Sequence, residues 1–347
     1  MVIAPRRDSD VQASLGPLSC RVVVVILNWN GRQYLEPCLR SVFGQEYQDL
    51  AVVLVDNGST DGSLALVRTH FPQVHIIENK DNQGFAAANN QAIRASASEL
   101  VATLNNDTEV DPGWLGALVR AMETDPRVGM CASKMLAADR REMLESAGIA
   151  VDRAGIAWGV AGGNADLDEA IPRSVFGPCA GAALYRRAML EDIGLFDEDF
   201  FAYLEDVDLA WRAQWAAWKC LYVPEAVVYH VHSATGKEGS CFKNRLLGRN
   251  KIWMLCKNYP FFPFLWYAPL ILAYDLMAMG YAIAADRRGA VRGRIAALFK
   301  IPAMLAKRRQ MVRKISPQAM LARLSPVESP LAVLRRYAHI RASPGDR

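Results

Sequence analysis

One short polar run stands out because its residue types can bind a cation or a polar ligand: Asn105-Asn106-Asp107. It follows the apolar segment 99–104, which has the composition of a buried strand. Open α/β sheets bind ligands at the C-terminal ends of their strands, so Asp107 has a suitable position. Asp111-Pro112 predicts that a helix begins soon afterwards, since Pro is favoured in a first helical turn. Asn and Asp are also common turn residues, and taken alone this run favours a plain strand-to-helix turn.

Three other segments carry acids or an imidazole at comparable positions. Asp56 follows an apolar run, Glu205-Asp206 begins a segment of near-helical periodicity, and His230 lies near the end of a short apolar segment. Each has a structural alternative: Asp56 suits a turn, and acids at a helix start match the helix dipole. His230 and His232 would share one face of a strand, but two His residues without a third ligand make a weak zinc site.

The elements that must position these side chains alternate between short apolar strands and helices. This order, with loops rich in Asn, Asp and Gly on one edge, predicts an α/β protein with a doubly wound, mostly parallel sheet. The chain lacks G-x-G-x-x-G at the first helix and any G-x-x-x-x-G-K-[ST], which argues against a dinucleotide-binding fold and a phosphate-loop nucleotidase. The predicted strands are 21–27, 50–55, 74–78, 99–104 and 128–132, and the predicted helices are 33–43, 63–70, 86–95 and 112–124.

The pattern changes after about residue 133. Residues 144–164 are rich in Gly and Ala and predict a hairpin or a flexible excursion, and 177–187 predict a loop that enters a strand. Residues 205–218 place apolar side chains near helical spacing. Two short strands, 219–224 and 226–231, are expected around a turn.

Length, cysteine usage and charge limit the function classes. The 347 residues can hold one large or two modest domains. Seven scattered Cys without a C-x-x-C pair argue against a disulfide framework or a structural zinc site and suit a reducing cytosol. Residues 1–20 lack an apolar core of signal-peptide length and predict a flexible leader. Residues 286–347 hold 15 basic and three acidic residues, so the remainder is acidic and the chain is not expected to bind nucleic acid.

Residues 259–347 predict a membrane-associating helical tail, apolar first and basic afterwards. The apolar part, 261–285, is long enough to span a bilayer, but it contains prolines and Asp275. We therefore expect one or two interfacial helices, with a basic segment at 287–314 that binds anionic lipid. The positive-inside bias places this tail at the cytoplasmic face of the cell membrane. A packed hairpin or a dimer contact are the alternatives, and the oligomeric state stays open.

The motifs V-D-N-G-S-T-D-G, N-x-G-F-A-A-A-N-N, L-N-N-D-T, F-A-Y-L-E-D-V-D-L and Y-H-x-H-S-A-T occur in this order. Together they closely resemble glycosyltransferase family two, and the rhamnosyltransferase-like branch in particular. The resemblance implies a GT-A fold over 21–258, with a nucleotide-sugar half at 21–132 and an acceptor half at 133–258. It also implies a nucleotide-diphosphate sugar donor, a divalent cation (magnesium or manganese) and inversion at the anomeric carbon.

The resemblance also assigns roles to individual residues. Asp206 would be the catalytic base with Glu205 orienting the acceptor, although the two could be exchanged. Asp107 and His230 would hold the metal, while Asn105 replaces the first Asp of the common D-x-D motif. The basic, amide-bearing segment Arg249-Asn250 in G-R-N-K would contact the donor diphosphate or an acceptor phosphate, with a solvated helix face as the alternative. The nucleotide-sugar site would consist of Asn28, Asn30, Asp56, Asn57, Ser59, Asn82, Gly84, Phe85, Asn89, Asn105, Asn106, Asp107 and Arg249.

The expected reaction is the addition of one sugar per encounter. The chain lacks the Q-x-x-R-W signature of processive synthases and their several membrane spans. The leading donor is dTDP-rhamnose, and the acceptor is a cell-surface glycan or a polyprenyl-linked glycan. Two other classes stay open: a catalytically idle, sugar-nucleotide-binding scaffold of a membrane complex, and a sugar-phosphate nucleotidyltransferase, for which Arg32 in the first loop is the only support.

Overall fold

The computed structural model describes residues 20–160, 172–231, 240–285, 287–327 and 329. The predicted leader, apart from Cys20, and His232 lie outside these residues. Twelve strands are formed in the described chain: β1 Val22–Asn28, β2 Leu50–Asp56, β3 His75–Glu78, β4 Leu100–Asn105, β5 Thr108–Val110, β6 Val128–Ala137, β7 Arg140–Ser146, β8 Ile149–Val151, β9 Ala157–Gly159, β10 Arg173–Ser174, β11 Ala182–Arg186 and β12 Lys219–His230.

Helices cover both faces of the sheet and form the C-terminal part of the chain. A short 3-10 helix, Glu198–Phe200, precedes the acidic pair at 205–206. The α-helices are α1 Arg32–Phe43, α2 Ser63–His70, α3 Gly84–Ala95, α4 Trp114–Glu123, α5 Arg187–Ile193, α6 Glu205–Trp215, α7 Cys241–Asn258, α8 Phe261–Ala284, α9 Arg288–Leu298, α10 Ile301–Gln310 and α11 Pro317–Ala322.

Ten strands form one mixed sheet in the order β10-β12-β6-β11-β4-β1-β2-β3, with β5 paired to β12 and β7 to β6. The first four strands pair in parallel, with β1 between β2 and β4. Residues 22–26 are fully buried because helices cover both faces of the sheet. Each such aliphatic side chain contributes about 1.5–3 kcal/mol through burial. The prediction of an α/β fold with a doubly wound, mostly parallel sheet is therefore confirmed.

Two predictions about the elements that position Asp107 and His230 are wrong. The helix expected at Asp111-Pro112 begins two residues later, at Trp114, and residues 108–110 before it form the unpredicted strand β5. The two short strands expected at 219–231 are one strand, β12, whose register shifts between Val223 and Val227. The far half of β12 pairs with β5, which places His230 opposite Thr108. Both errors arise because β5 and β12 are stabilised by long-range pairing that no local sequence pattern reveals.

The excursion after residue 133 is a set of short antiparallel pairings. Strand β6 extends to Ala137 and pairs with β7. Strands β8 and β9 form the expected hairpin. The remainder of that predicted excursion, from residue 161, lies outside the described residues.

Helix α8 is continuous, contrary to the expectation that prolines divide it. Pro260 precedes the helix and Pro263 occupies its first turn, where an N–H is not needed. Pro269 is accommodated inside. Among the described residues, α8 is one helix with the length and hydropathy of a membrane span.

Several charges of the basic segment 287–314 are bound to carboxylates of the protein itself. Lys300 and Lys307 form ion pairs with Asp199, at 2.7 and 2.8 Å. Arg294 forms a two-pronged ion pair with Asp275 of α8, with both N–O distances at 2.9 Å. The expectation that the whole segment 287–314 serves an anionic membrane is therefore wrong for these charges, because carboxylates of the domain neutralise them.

Candidate active site

A buried polar network joins the loops that follow β1, β2 and β4. Asn28 Nδ2 donates to Asp56 Oδ1 at 2.8 Å and to Ser59 Oγ at 3.0 Å. Asn28 Oδ1 accepts a bond from Asn106 Nδ2 at 2.7 Å. The backbone N–H of Asn30 donates to Ser59 Oγ at 2.9 Å. Parallel pairing brings these strand ends together, so five residues predicted at separate positions form one connected cluster.

A second group of predicted donor-site residues lies beside this network. Asn57 Nδ2 contacts Asn82 Oδ1 at 3.3 Å and the Gly84 carbonyl at 3.2 Å. Asn82 Oδ1 accepts a hydrogen bond from the Gly84 N–H at 2.9 Å, which shapes the start of α3. Asn89 is buried and donates to the Phe85 carbonyl of the same helix at 2.9 Å. Asn89 therefore supports the helix, and its contact with a donor stays a prediction.

Asp107 and His230 meet at the connection between β4 and β5. His230 Nε2 lies 3.4 Å from Asp107 Oδ1, and its Nδ1 lies 2.6 Å from Glu145 Oε2 on β7. Burial disfavours the imidazolium, but the two carboxylates outweigh burial and raise the pKa of His230 to about 10. Without a metal, His230 is therefore protonated at neutral pH.

Asp107 and His230 are suited to bind a divalent cation that takes its remaining ligands from a substrate and water. Asp107 Oδ1 is buried and has no hydrogen bond of good geometry. It points at the same space as His230 Nε2, while Glu145 binds the other ring nitrogen, as outer-shell carboxylates do for metal-ligating His residues. No group of three His, Cys, Asp or Glu side chains suited to a metal occurs in the part of the chain that the structure describes. Magnesium commonly takes one or two protein ligands and completes its shell with phosphate oxygens and water, so two protein ligands suffice.

The segment Ala180-Gly181 connects this strand end to the acidic pair. The Asn105 N–H donates to the Gly181 carbonyl at 2.8 Å. The Ala180 N–H donates to Asp206 Oδ2 at 3.3 Å. The absence of a Cβ at residue 181 leaves room for the Asn105 amide, whose Nδ2 would lie 3.0 Å from such an atom. Asp206 and the predicted metal ligands thus flank the same end of β4.

Glu205 and Asp206 begin α6 and have different surroundings. Burial raises the pKa of Glu205 well above its usual range, and neighbouring Asp206 adds to the effect. Glu205 Oε2 is buried without a hydrogen-bond partner. Burial also raises the pKa of Asp206, but the N–H groups of Ala180 and Val207 stabilise its ionised form and oppose this rise. Asp206 is therefore the member of the pair that ionises more readily.

The turn that leads into this pair contains three non-glycine residues in the left-handed region. Phe201, Tyr203 and Leu204 have φ values of 65°, 67° and 67°. Such residues cost on the order of 1–3 kcal/mol each and cluster at functional sites. Arg249 Nη2 donates to the Phe200 carbonyl of this turn at 2.8 Å. The predicted phosphate contact of Arg249 stays a prediction, because the structure shows its guanidinium bound to the turn.

Of two further residues in this region, Glu145 carries no signal in a sequence motif, and Asn250 adjoins Arg249 in the segment G-R-N-K, for which a phosphate contact is predicted. Glu145 lies in a segment read only as a hairpin or excursion, and its role depends on β7 pairing with β6 next to β12. Asn250 lies on α7 and reaches the turn before Glu205. Both make their contacts across more than 45 residues of sequence, so the local sequence does not reveal the partners of either residue.

The sequence model of glycosyl transferase family 2 matches residues 23–194. An N-acetylglucosaminyl-diphospho-decaprenol L-rhamnosyltransferase of Mycobacterium tuberculosis is 28% identical over 240 residues, covering 62% of this chain and 78% of the relative. A pre-mycofactocin glycosyltransferase of the same organism is 29% identical over 231 residues, covering 62% of this chain and 44% of the relative.

Among solved structures, GalNAc-T7 with UDP, GalNAc and Mn²⁺ superposes with a TM-score of 0.60 at 17% identity. The match covers 82% of this chain and 57% of that one, and it shows a shared GT-A fold. The fold, the ordered motifs and the matching family domain all agree. Residues 23–194 therefore form a glycosyl transferase family 2 domain, and the ordered motifs of the chain resemble the rhamnosyltransferase-like branch of that family.

Proposed function

We propose that this glycosyltransferase moves one sugar, with inversion, from a nucleoside-diphosphate donor to a lipid-linked or cell-surface glycan. L-Rhamnose from dTDP-rhamnose is the leading donor, supported by the similarity to the mycobacterial rhamnosyltransferase. The proposal rests on one observation: a pair of candidate metal ligands and a pair of carboxyl groups lie near the same end of β4. Asp107 with His230 can hold a metal and diphosphate, and Glu205 with Asp206 can accept a proton.

The donor would bind along the ends of β1, β2 and β4. The Asn28–Asp56–Ser59 network fixes the loops that would flank the nucleoside, and reading of the base by Asp56 is part of the proposal. Asp107 and His230 would hold a divalent cation beside the diphosphate. Such a cation supplies Lewis-acid stabilisation of the charge that develops as the nucleoside diphosphate leaves.

Asp206 would act as the general base. As the acceptor oxygen forms its bond to the anomeric carbon, the hydroxyl proton passes to the Asp206 carboxylate while the bond to the diphosphate breaks on the opposite face. The raised pKa of Asp206 makes it a stronger base than an exposed carboxylate. Glu205, whose pKa is raised further by burial, would stay protonated and donate a hydrogen bond that orients the acceptor.

Helix α8 and its neighbours would bring this site to a lipid-linked acceptor. One stripe of α8 packs on the protein from Phe264 through Ile271 to Ala282, a length of about 27 Å at 1.5 Å per residue. The opposite face exposes large apolar side chains, including Phe262 at 74% and Trp266 at 83% exposure.

The ion pairs of Asp275 favour an α8 that lies in the plane of the membrane. Asp275 on the packed stripe forms ion pairs with Arg294 and Lys251, and a spanning α8 would draw all three charges into hydrocarbon at high cost. We therefore propose that α8 lies on the membrane surface; Phe299, directly after α9, is a further exposed apolar side chain. The cytoplasmic face agrees with free Cys side chains in the described chain.

The test is a transfer assay with purified protein, dTDP-rhamnose and a short polyprenyl-diphospho-N-acetylglucosamine, run beside other nucleotide sugars. We expect Mn²⁺- or Mg²⁺-dependent transfer and an inverted anomeric product by NMR. Asp206→Asn and Asp107→Ala should each abolish transfer, whereas the exposed control Asp139→Asn should behave as wild type.

Two outcomes would replace the proposal. Diphosphate release from a nucleoside triphosphate and a sugar phosphate would identify a nucleotidyltransferase. Donor binding without transfer to any acceptor, together with unchanged behaviour of both variants, would identify an idle scaffold.

A further inference from the structure

The turn that delivers Glu205 and Asp206 to the cleft has a backbone shape that its own residues disfavour. The Ala202 N–H bonds the Phe200 carbonyl at 2.8 Å, closing a γ-turn around Phe201 at φ 65° and ψ −65°. Leu204 follows in the left-handed region and directly precedes α6. This kind of γ-turn is rare and strained, so surrounding groups must hold it.

The side-chain amide of Asn250 is the group that holds this turn. Its Nδ2 lies within hydrogen-bond distance of three carbonyl oxygens: 3.0 Å from Phe200, 2.9 Å from Ala202 and 2.7 Å from Tyr203. Asn250 is fully buried. With three acceptors around its two N–H donors, this amide is committed to the turn and cannot also bind a substrate.

The orientation of that amide is fixed by its neighbour on α7. Arg249 Nε donates to Asn250 Oδ1 at 2.9 Å, which directs the NH₂ group to the turn. Arg249 Nη2 donates to the carbonyls of Asp199 at 3.1 Å and Phe200 at 2.8 Å. The guanidinium also stacks over the ring of Trp253, 4.3 Å from the centroid. The Arg249-Asn250 pair on α7 thus forms a clamp that holds the turn.

The same turn also contacts the start of α3, where the predicted donor-site residues Gly84 and Phe85 lie. The Phe201 carbonyl accepts bonds from the N–H groups of Phe85 and Ala86 at 2.6 and 3.1 Å, at the start of α3. Gly84 makes this approach possible, because a Cβ there would lie 2.5 Å from the Phe201 oxygen. A change in the shape of the turn would therefore move the acidic pair relative to the donor loop.

We propose that Asn250 is a positioning residue for the transfer reaction: its buried amide holds turn 200–204 in the shape that presents Glu205 and Asp206 to the acceptor. The inference rests on the proposed function, which supplies the role of the acidic pair. It makes α7 part of the catalytic unit although no atom of Asn250 touches a substrate.

The first experiment uses Asn250→Asp, which keeps size and removes both donors. A misplacement of about 1 Å can cost on the order of 10²-fold, and we expect a fall in kcat of that order. Binding of dTDP with Mn²⁺, measured by calorimetry, should stay within about threefold of wild type, because Asn250 makes no donor contact. Hydrogen exchange of the amides in 200–206 should speed up.

Lys251→Met is the matched control, since Lys251 is the next residue on α7 and faces Asp275 of α8 rather than the turn. It should leave kcat and exchange in 200–206 as in wild type. Should Asn250→Asp fail to fold, Arg249→Lys and Arg249→Met provide a graded series, in which the Lys variant should keep more kcat and both should keep dTDP affinity.

Wild-type kcat in a folded Asn250→Asp protein would overturn the inference. So would an Arg249→Met variant that loses dTDP affinity at unchanged kcat, since that result would make the clamp a diphosphate ligand. Absence of transfer by the wild-type protein would instead refute the proposed function, and the exchange measurement would still report on the clamp.

Discussion

His230 gives the prediction whose magnitude follows most directly from the structure. Asp107 and Glu145 overcome the effect of burial and raise the pKa of His230 from 6.5 to about 10. The folded, metal-free protein therefore holds this proton more tightly than the unfolded chain does. The resulting stabilisation is fully present below pH 6.5 and is lost as the pH rises through about 10.

The size of the effect follows from linkage. One pKa unit corresponds to about 1.4 kcal/mol, so the shift corresponds to about 5 kcal/mol of stability at most. His230→Gln removes the titrating group. The difference in the free energy of unfolding between wild type and His230→Gln should therefore shrink by up to about 5 kcal/mol between pH 6.5 and 10.

The assay is urea unfolding in EDTA, followed by tryptophan fluorescence at half-unit pH steps. Glu145→Gln removes the carboxylate at Nδ1 and leaves Asp107, so its loss of stability should end at a lower pH than that of wild type. Parallel pH profiles for wild type and His230→Gln would refute the reasoning, because they would show that His230 does not carry an elevated pKa.

Three further predictions concern the site, the turn and the surface. Asp206→Asn should reduce transfer by roughly 10²–10⁴-fold while calorimetry shows dTDP binding retained. Wild-type kcat should fall as acidification protonates Asp206, whose pKa is raised by burial, and a kcat that does not fall on acidification would contradict this. Gly84→Ala should lower the unfolding free energy by about 1–3 kcal/mol in urea titrations, because φ is +82° and the Phe201 carbonyl occupies the Cβ position. Phe262→Ser with Trp266→Ser should weaken flotation with anionic liposomes at unchanged melting temperature, and equal flotation would argue for a protein partner at this face.

Several elements of residues 21–132 could be predicted well because they are locally encoded. The β-branched run that forms β1 and the helix Ser63–His70 carry their periodicity in contiguous residues, and their observed bounds lie within one residue of the predicted ones. Parallel strands in a doubly wound sheet also end at one edge, so the meeting of Asn28 with Asp56 follows from topology.

Strand β5 and the packing of residues 261–285 were harder to predict because they depend on contacts between distant parts of the chain. Residues 108–110 have no local pattern that indicates a strand, and β5 is formed through its pairing with β12. The apolar stretch 261–285 has the same composition whether it spans a membrane or packs on a domain. The ion pair of Asp275 with Arg294, 19 residues away, is a tertiary contact that this composition does not reveal.

By itself the sequence determined which side chains could do chemistry, namely Asp107, Glu205, Asp206 and His230, since ordered motifs and strand-end positions are properties of contiguous residues. Only the tertiary structure decided what surrounds them. It brought Glu145 to His230, buried Glu205 more unfavourably than Asp206, and placed the amide of Asn250 on the turn before them. The physical reason is that burial, pKa and backbone strain depend on atoms from remote parts of the chain, which no local pattern specifies.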